Sequence, residues 1–106
     1  IAVESLYSMD GDLAPLSELL QLAKQYQAFC VIDEAHATGV FGVNGEGLIP
    51  PDANMSSIIR VHPCGKALGA AGALVGLNAV FYDYLINRAR TFIYTTAPSP
   101  LIAAAV

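Results

Sequence analysis

The stretch FCVIDEAH, residues 29–36, decides the fold class of this chain. Residues 29–32 form a short apolar run rich in strand-forming side chains, and polar or small residues follow it at once. This is typical of a buried parallel strand that reaches its carboxyl edge. Ligands of open α/β sheets bind at that edge, so Asp33 and His36 are expected to lie at a binding site.

Strand and helix patterns alternate along the rest of the chain. The helix over 14–26 is indicated by an apolar face that recurs at helical spacing, formed by Leu16, Leu19, Leu20 and Ala23. The other predicted elements are strands over 1–7, 57–61 and 73–77, a turn over 8–12, a loop over 37–54, a helix over 80–90, an extended segment over 94–100 and a helix after Pro100. This order predicts an α/β fold with a mostly parallel sheet and flanking helices.

A single lysine stands out downstream, because Lys66 is the only Lys, Arg, Asp or Glu between Arg60 and Asp83. Together with Asp33 and His36 it suggests a site for an aromatic nitrogen cofactor, with pyridoxal phosphate as the candidate. Asp33 would pair with the pyridine nitrogen, His36 would orient the phenolic oxygen, and Lys66 would supply the amine of a Schiff base.

Each of these residues also has a plainer interpretation. An acid after a strand is often only the cap of the next turn, so Asp33 is equally compatible with a structural role. Asp-x-x-His could be half of a metal site, but His62 is the only other histidine. Cys30 and Cys64 lack the spacing of a ligand pair. No metal site is therefore predicted, and Cys30 is expected to pack in the core.

The composition and net charge limit the kinds of molecule that the chain is expected to bind. The 106 residues are 55% hydrophobic and 13% charged, which is apolar for a small free-standing domain, so the excess apolar surface is expected to face further parts of a larger enzyme. A net charge of −4 without a basic cluster argues against nucleic acid and anionic membranes. No apolar run reaches the length of a membrane span. The cysteine usage fits a reducing cytosol, and a cytoplasmic location is expected.

Several motifs together carry a family resemblance. They are ESLYSMDGDLAPL at 4–16, DEAHATGVFG at 33–42, GEGL at 45–48, GKALG at 65–69 and FIYTTAPSP at 92–100. In this order the chain resembles the α-oxoamine synthases, pyridoxal-phosphate enzymes of the aspartate-aminotransferase fold (fold type I). The resemblance implies that 1–106 is the central part of the large cofactor-binding domain, without the family's amino-terminal phosphate loop and its small carboxyl-terminal domain. It also implies that the strand over 73–77 is antiparallel.

The same resemblance implies roles for individual residues. Lys66 would be the Schiff-base lysine, Asp33 would pair with the pyridine nitrogen, and His36 and Ser8 would lie beside the phenolic oxygen. Thr95 and Thr96 match the segment that crosses a dimer interface to the phosphate of the partner's cofactor. A homodimer is therefore expected.

The reaction implied by the resemblance is the condensation of an amino acid with an acyl thioester, with loss of carbon dioxide, to give an α-amino ketone. The motif after His36 and the GEGL motif that follows favour the biotin-synthesis branch, which joins L-alanine to pimeloyl-CoA. They favour it over the glycine acetyltransferase, aminolaevulinate synthase and serine palmitoyltransferase branches. Lys66 would act as the base that removes the α-proton. An aminotransferase or another enzyme of the same fold, and a non-catalytic fragment, remain as alternatives.

One position departs from the family pattern. A threonine usually stands three residues before the lysine and helps to hold the cofactor phosphate, whereas this chain has Pro63 there. Proline offers neither a hydroxyl nor a backbone N–H. Either other groups hold the phosphate or cofactor affinity is weakened.

Overall fold

A four-stranded sheet organises the chain, as the alternating pattern predicts. The computed structural model describes residues 1–106. The strands are β1 (Ala2–Glu4), β2 (Cys30–Asp33), β3 (Ile58–Pro63) and β4 (Ala73–Gly76). The helices are α1 (Leu16–Gln25), α2 (Ala79–Arg88), α3 (Arg90–Ile93) and α4 (Pro100–Ala105), and a 3₁₀ turn occupies Met55–Ser57.

The strand order in the sheet is β1-β2-β3-β4, with the first three strands parallel. β4 runs antiparallel to β3, with Val61 opposite Val75 and Pro63 opposite Ala73. The mostly parallel sheet and the antiparallel fourth strand are both confirmed. Because β1, β2 and β3 are parallel, their carboxyl ends lie at one edge of the sheet.

The core lies between α1 and one face of the sheet. Side chains alternate along β2, so that Cys30 and Ile32 are buried while Val31 between them is 38% exposed. Leu16 and Ala23 of α1 pack against this face, together with Ile58 of β3. Burying an isoleucine such as Ile32 contributes roughly 1.5–3 kcal/mol. The predicted core position of Cys30 and the apolar face of α1 are confirmed.

β1 is shorter than the predicted strand over 1–7. After Glu4 the chain leaves the sheet, and Leu6 instead forms an isolated antiparallel bridge with Leu13. The turn between them is closed by the backbone N–H of Tyr7, which donates to the carbonyl of Asp12 at 2.9 Å. The predicted polar turn is therefore present, and it begins the connection to α1.

The predicted helix over 80–90 is confirmed as α2, which ends two residues earlier than predicted and is followed by a short helix, α3, that the sequence analysis did not predict. α2 ends at Arg88, and Ala89 adopts an extended conformation with ψ of 99°. The carbonyl of Ala89 then accepts the backbone N–H groups of Phe92 and Ile93, both at 2.9 Å, and so starts α3. No glycine or proline marks this break in the sequence.

Two contacts fix the start of α2 against the sheet. Asn78 caps the helix by accepting the backbone N–H of Phe81 at 2.9 Å, and its amide donates to the carbonyl of Ser56 at 2.6 Å. The ring of Phe81 meets that of Phe29 edge to face, with centroids 4.9 Å apart.

The carboxyl-terminal part of the chain is not covered in this way, because every residue from 90 to 101 is exposed. None of the helices combines the length and apolar character needed to cross a membrane.

Candidate active site

Four of the predicted site residues follow the carboxyl ends of the three parallel strands. Ser8 comes four residues after β1, Asp33 ends β2, His36 lies in the turn that follows, and Lys66 comes three residues after β3. Ser8 and Lys66 are exposed, while Asp33 and His36 are half-buried. The parallel topology therefore assigns all four to one edge of the sheet, where open α/β sheets bind ligands.

Asp33 is held by its own turn. Its Oδ1 accepts the backbone N–H of Ala35 at 2.8 Å, which bends the chain directly after β2. On β1 its neighbour in register is Glu4, and the two carboxylates border the same shallow depression of about 410 Å³. Val31 and Val61 form part of the apolar floor of this depression. A carboxylate at the rim of such a surface suits a cationic ring nitrogen.

The turn that carries His36 is built from successive backbone hydrogen bonds. The carbonyl of Glu34 accepts the N–H groups of Ala37 and Thr38 at 3.0 and 2.8 Å. One residue further on, Gly39 adopts φ of +78°, a conformation that glycine permits most readily. A Cβ at Gly39 would lie 2.7 Å from the Cβ of Ala67. The turn of His36 therefore packs directly against the residue that follows Lys66.

Lys66 lies in a closed loop between β3 and β4. The N–H of Cys64 donates to the carbonyl of Gly72 at 2.9 Å, and the N–H of Ala70 donates to the carbonyl of Cys64 at 3.0 Å. The carbonyl of Lys66 itself accepts the N–H of Gly69 at 3.1 Å. These bonds fix the backbone of the loop while the lysine side chain stays exposed.

Thr95 and Thr96 are exposed and belong to the irregular segment between α3 and α4, which starts with a turn and a bend rather than the predicted extended conformation. Pro63 is the last residue of β3, and its ring therefore occupies the strand end that leads into the loop of Lys66.

Sequence reasoning missed a buried carboxylate beside Asp33. The side chain of Glu34 is 0% exposed, and its Oε2 accepts the hydroxyl of Ser5 at 2.7 Å. The backbone N–H groups of Leu48 and Ile49 donate to the same carboxylate at 3.0–3.1 Å. The sequence signal for the burial of Glu34 was the alternation of side chains along a strand. This alternation places Ile32 and Glu34 on the covered face of the sheet and Asp33 on the opposite face.

Thr38 extends this network to β3. Its Oγ1 lies 2.8 Å from the carbonyl oxygen of Glu34 and 2.8 Å from Nδ1 of His62. His62 stands four residues before Lys66. A chain of hydrogen bonds thus runs from the end of β1 through the turn of His36 to the last residues of β3.

A larger cavity, of about 560 Å³, lies between the end of α1 and the loop around residues 50–57. Its lining includes Lys24, Asp52 and Ile58, and none of the predicted site residues. It opens near the amino ends of β2 and β3, and the chemistry-bearing residues follow their carboxyl ends. No group of three or more His, Cys, Asp or Glu side chains is arranged to hold a metal ion.

Known proteins similar to this chain agree with the fold. The family model "Aminotransferase class I and II" matches residues 1–106. An 8-amino-7-oxononanoate synthase from Ralstonia pickettii is 46% identical over 107 residues, which is 100% of this chain and 26% of that protein. The chain therefore spans about a quarter of the length of this curated relative.

Solved structures show the same architecture. A high-resolution structure of SPT (serine palmitoyltransferase) with its PLP (pyridoxal phosphate) internal aldimine superposes with a TM-score of 0.85 at 33% identity, covering 98% of this chain and 26% of that one. An 8-amino-7-oxononanoate synthase from Francisella tularensis gives a TM-score of 0.75 at 38% identity, covering 98% and 31%. The expected fold type I architecture is confirmed, and the chain belongs to the aminotransferase class I and II family.

Proposed function

We propose that this chain carries the cofactor-binding centre of a pyridoxal-phosphate enzyme of the α-oxoamine synthase type. The whole protein would act as an 8-amino-7-oxononanoate synthase, joining L-alanine to an acyl thioester such as pimeloyl-CoA with loss of carbon dioxide. The observation that carries the proposal is the placement of Ser8, Asp33, His36 and Lys66 after the carboxyl ends of three neighbouring parallel strands. The relative from Ralstonia pickettii, 46% identical, supports the choice of reaction.

The chemistry of these residues fits the cofactor. Asp33 engages one carboxylate oxygen with the backbone N–H of Ala35 and borders an open depression, so its second oxygen is free for a protonated ring nitrogen. His36 and Ser8 provide hydrogen-bonding groups for the phenolic oxygen. Lys66 provides a primary amine in a segment without other charges. When bound, pyridoxal phosphate supplies an electron sink for a carbanion at the α-carbon of the amino acid.

The chain's own residues would do three things during the reaction. Asp33 would keep the ring nitrogen protonated through an ion pair. His36 and Ser8 would hold the ring at a fixed angle through its phenolic oxygen. Lys66 would take the α-proton of the amino acid as a general base.

The partner and location are part of the same proposal. Thr95 and Thr96 would reach the cofactor phosphate of a second copy of the protein, so that the enzyme is a homodimer. Their exposure in the segment between α3 and α4 supports this. The free thiols of Cys30 and Cys64 support a cytoplasmic location, where thiols stay reduced.

The proposal is tested by mapping the cofactor lysine in the full-length protein. Pyridoxal phosphate is added, the complex is reduced with borohydride, and the labelled peptide is identified by mass spectrometry. We expect a visible absorption band and a label on Lys66, and both should disappear in Lys66→Ala. Lys24→Ala is the matched control, because Lys24 lies on α1 beside the other cavity. A label on Lys24, or none, would contradict the assignment.

The substrates need a separate measurement. The full-length protein is supplied with pimeloyl-CoA and with L-alanine, glycine or L-serine in turn, and the release of coenzyme A and carbon dioxide is followed. L-alanine should be the best amino acid. A clear preference for L-serine would instead favour a reaction of the serine palmitoyltransferase kind, whose structures superpose well on this chain.

A further inference from the structure

Glu34 is a buried acid to which the proposed reaction gives no role. It is 0% exposed, and it lies on the face of the sheet opposite the depression that Asp33 borders. A buried carboxylate is costly unless it is hydrogen-bonded. Here all its partners are donors, namely the hydroxyl of Ser5 and the backbone N–H groups of Leu48 and Ile49. An acceptor-only group, the ionised carboxylate, satisfies all three.

These partners come from separate segments of the chain. Ser5 follows β1, whereas Leu48 and Ile49 close the glycine-containing loop after the turn of His36. Gly47 leaves just enough room for this arrangement, because a Cβ there would lie 2.5 Å from Oε2 of Glu34. The carboxylate thus joins the end of β1 to a loop that lies more than forty residues later in the sequence.

The main chain of Glu34 fixes the residues that carry the proposed chemistry. Its N–H donates to the carbonyl of Val61 at 2.8 Å, and the carbonyl of Asp33 accepts the N–H of Ser5 at 2.9 Å. The carbonyl of Glu34 also accepts the hydroxyl of Thr38 at 2.8 Å, which sets the turn of His36. Any shift of Glu34 therefore moves Asp33 on one side and His36 on the other.

We propose that Glu34 is a positioning residue for the cofactor, acting through Asp33 and His36 from the covered face of the sheet. This inference rests on the proposed function. A group that holds a binding side chain in place affects the geometry of that side chain before it affects global stability. Glu34 should therefore influence the bound cofactor more than an equally destabilising change elsewhere in the core.

The test compares Glu34→Gln with Ile58→Ala in the full-length protein. Glutamine keeps the volume but replaces one acceptor oxygen by a donor. Ile58 is buried in the core at the amino end of β3, away from the carboxyl edge. Two readouts are needed: amide hydrogen exchange at Leu48 and Ile49 in the cofactor-free protein, and the affinity and pH-dependent visible band of added pyridoxal phosphate.

In Glu34→Gln we expect exchange at Leu48 and Ile49 to become about tenfold faster, because charge-assisted hydrogen bonds are replaced by weaker neutral ones. Cofactor affinity should fall about tenfold, the loss seen when supporting partners of metal ligands are removed, and the midpoint pH of the visible band should move. Ile58→Ala should lower the melting temperature without moving that midpoint. Ser5→Ala removes only one of the three donors, and it should act in the same direction as Glu34→Gln. It serves as the test variant if Glu34→Gln folds poorly.

Three outcomes would overturn the inference. Faster exchange with an unchanged cofactor band and affinity would make Glu34 a purely structural group, and the proposed function would stand. Equal effects of Glu34→Gln and Ile58→Ala on the band would show a general loss of stability. If the parent protein itself forms no band with pyridoxal phosphate, the proposed function fails and this inference fails with it.

Discussion

Replacing Gly47 by alanine should cost far more stability than replacing a glycine of similar backbone conformation. Gly47 has φ of +108°, and the added Cβ would lie 2.5 Å from Oε2 and 2.7 Å from Cδ of Glu34. Gly72 has φ of +100°, with nothing within 4 Å of the added Cβ. Alanine at a positive φ costs roughly 1–2 kcal/mol. Overpacking a filled site costs about 1–3 kcal/mol more.

Gly47→Ala should therefore lower the free energy of unfolding by about 2–5 kcal/mol and Gly72→Ala by about 1–2 kcal/mol. The measurement is urea denaturation of the full-length protein followed by circular dichroism. Shortening the acid with Glu34→Asp should relieve part of the extra cost in the Gly47→Ala background, as a double-mutant cycle would reveal. Equal losses for the two glycine variants would refute the packing of Gly47 against the carboxylate.

Three further predictions concern the cap of α2, the thiols and one exposed acid. Asn78→Ala should lower the free energy of unfolding by about 0.5–2 kcal/mol in a thermal unfolding experiment, because it removes a helix cap and a second hydrogen bond. Ser99→Ala is the control; it loses only the cap of the exposed α4 and should lower the free energy of unfolding by less. The thiols of Cys30 and Cys64 are each 1% exposed, so both should react with a thiol reagent only at the rate of unfolding; fast labelling of either would contradict their burial. Backbone hydrogen bonds, first from its own N–H and then from that of Asn44, lower the pKa of Glu46 from its ordinary value. This carboxylate therefore stabilises the folded turn above its unfolded pKa and loses that effect as pH falls through the lowered pKa. Amide exchange in the 42–47 turn should thus be faster in Glu46→Gln than in the parent at neutral pH, and the two should converge in acid.

Much of the fold could be predicted from the local hydrophobic pattern of the sequence. The apolar stripe from Leu16 to Ala23 and the run ending at Asp33 predict α1 and β2 because burial on one face imposes a period on the sequence. The early end of β1 was not readable, since it depends on Leu6 pairing with Leu13 across a turn. The break at Ala89 likewise has no local signal.

The candidate site, like the fold, could be predicted only in part from the sequence. Asp33, His36 and Lys66 could be named from their residue types and from their places after apolar runs. Their common placement after the carboxyl ends of parallel strands depends on strand order and direction, and the contact between Gly39 and Ala67 depends on two loops meeting in space. Glu34 escaped notice because its role comes from partners that no nearby sequence position reveals.

The hydroxyl of Thr38 has one proton and two neighbours that compete for it. The carbonyl of Glu34 can only accept, whereas Nδ1 of His62 either donates or accepts according to the tautomer of the ring. The orientation of this hydroxyl and the tautomer of the neutral ring are therefore coupled. An Nδ1–H ring leaves the hydroxyl proton to Glu34, an Nε2–H ring takes it at Nδ1, and the imidazole ¹⁵N chemical shifts distinguish the two arrangements.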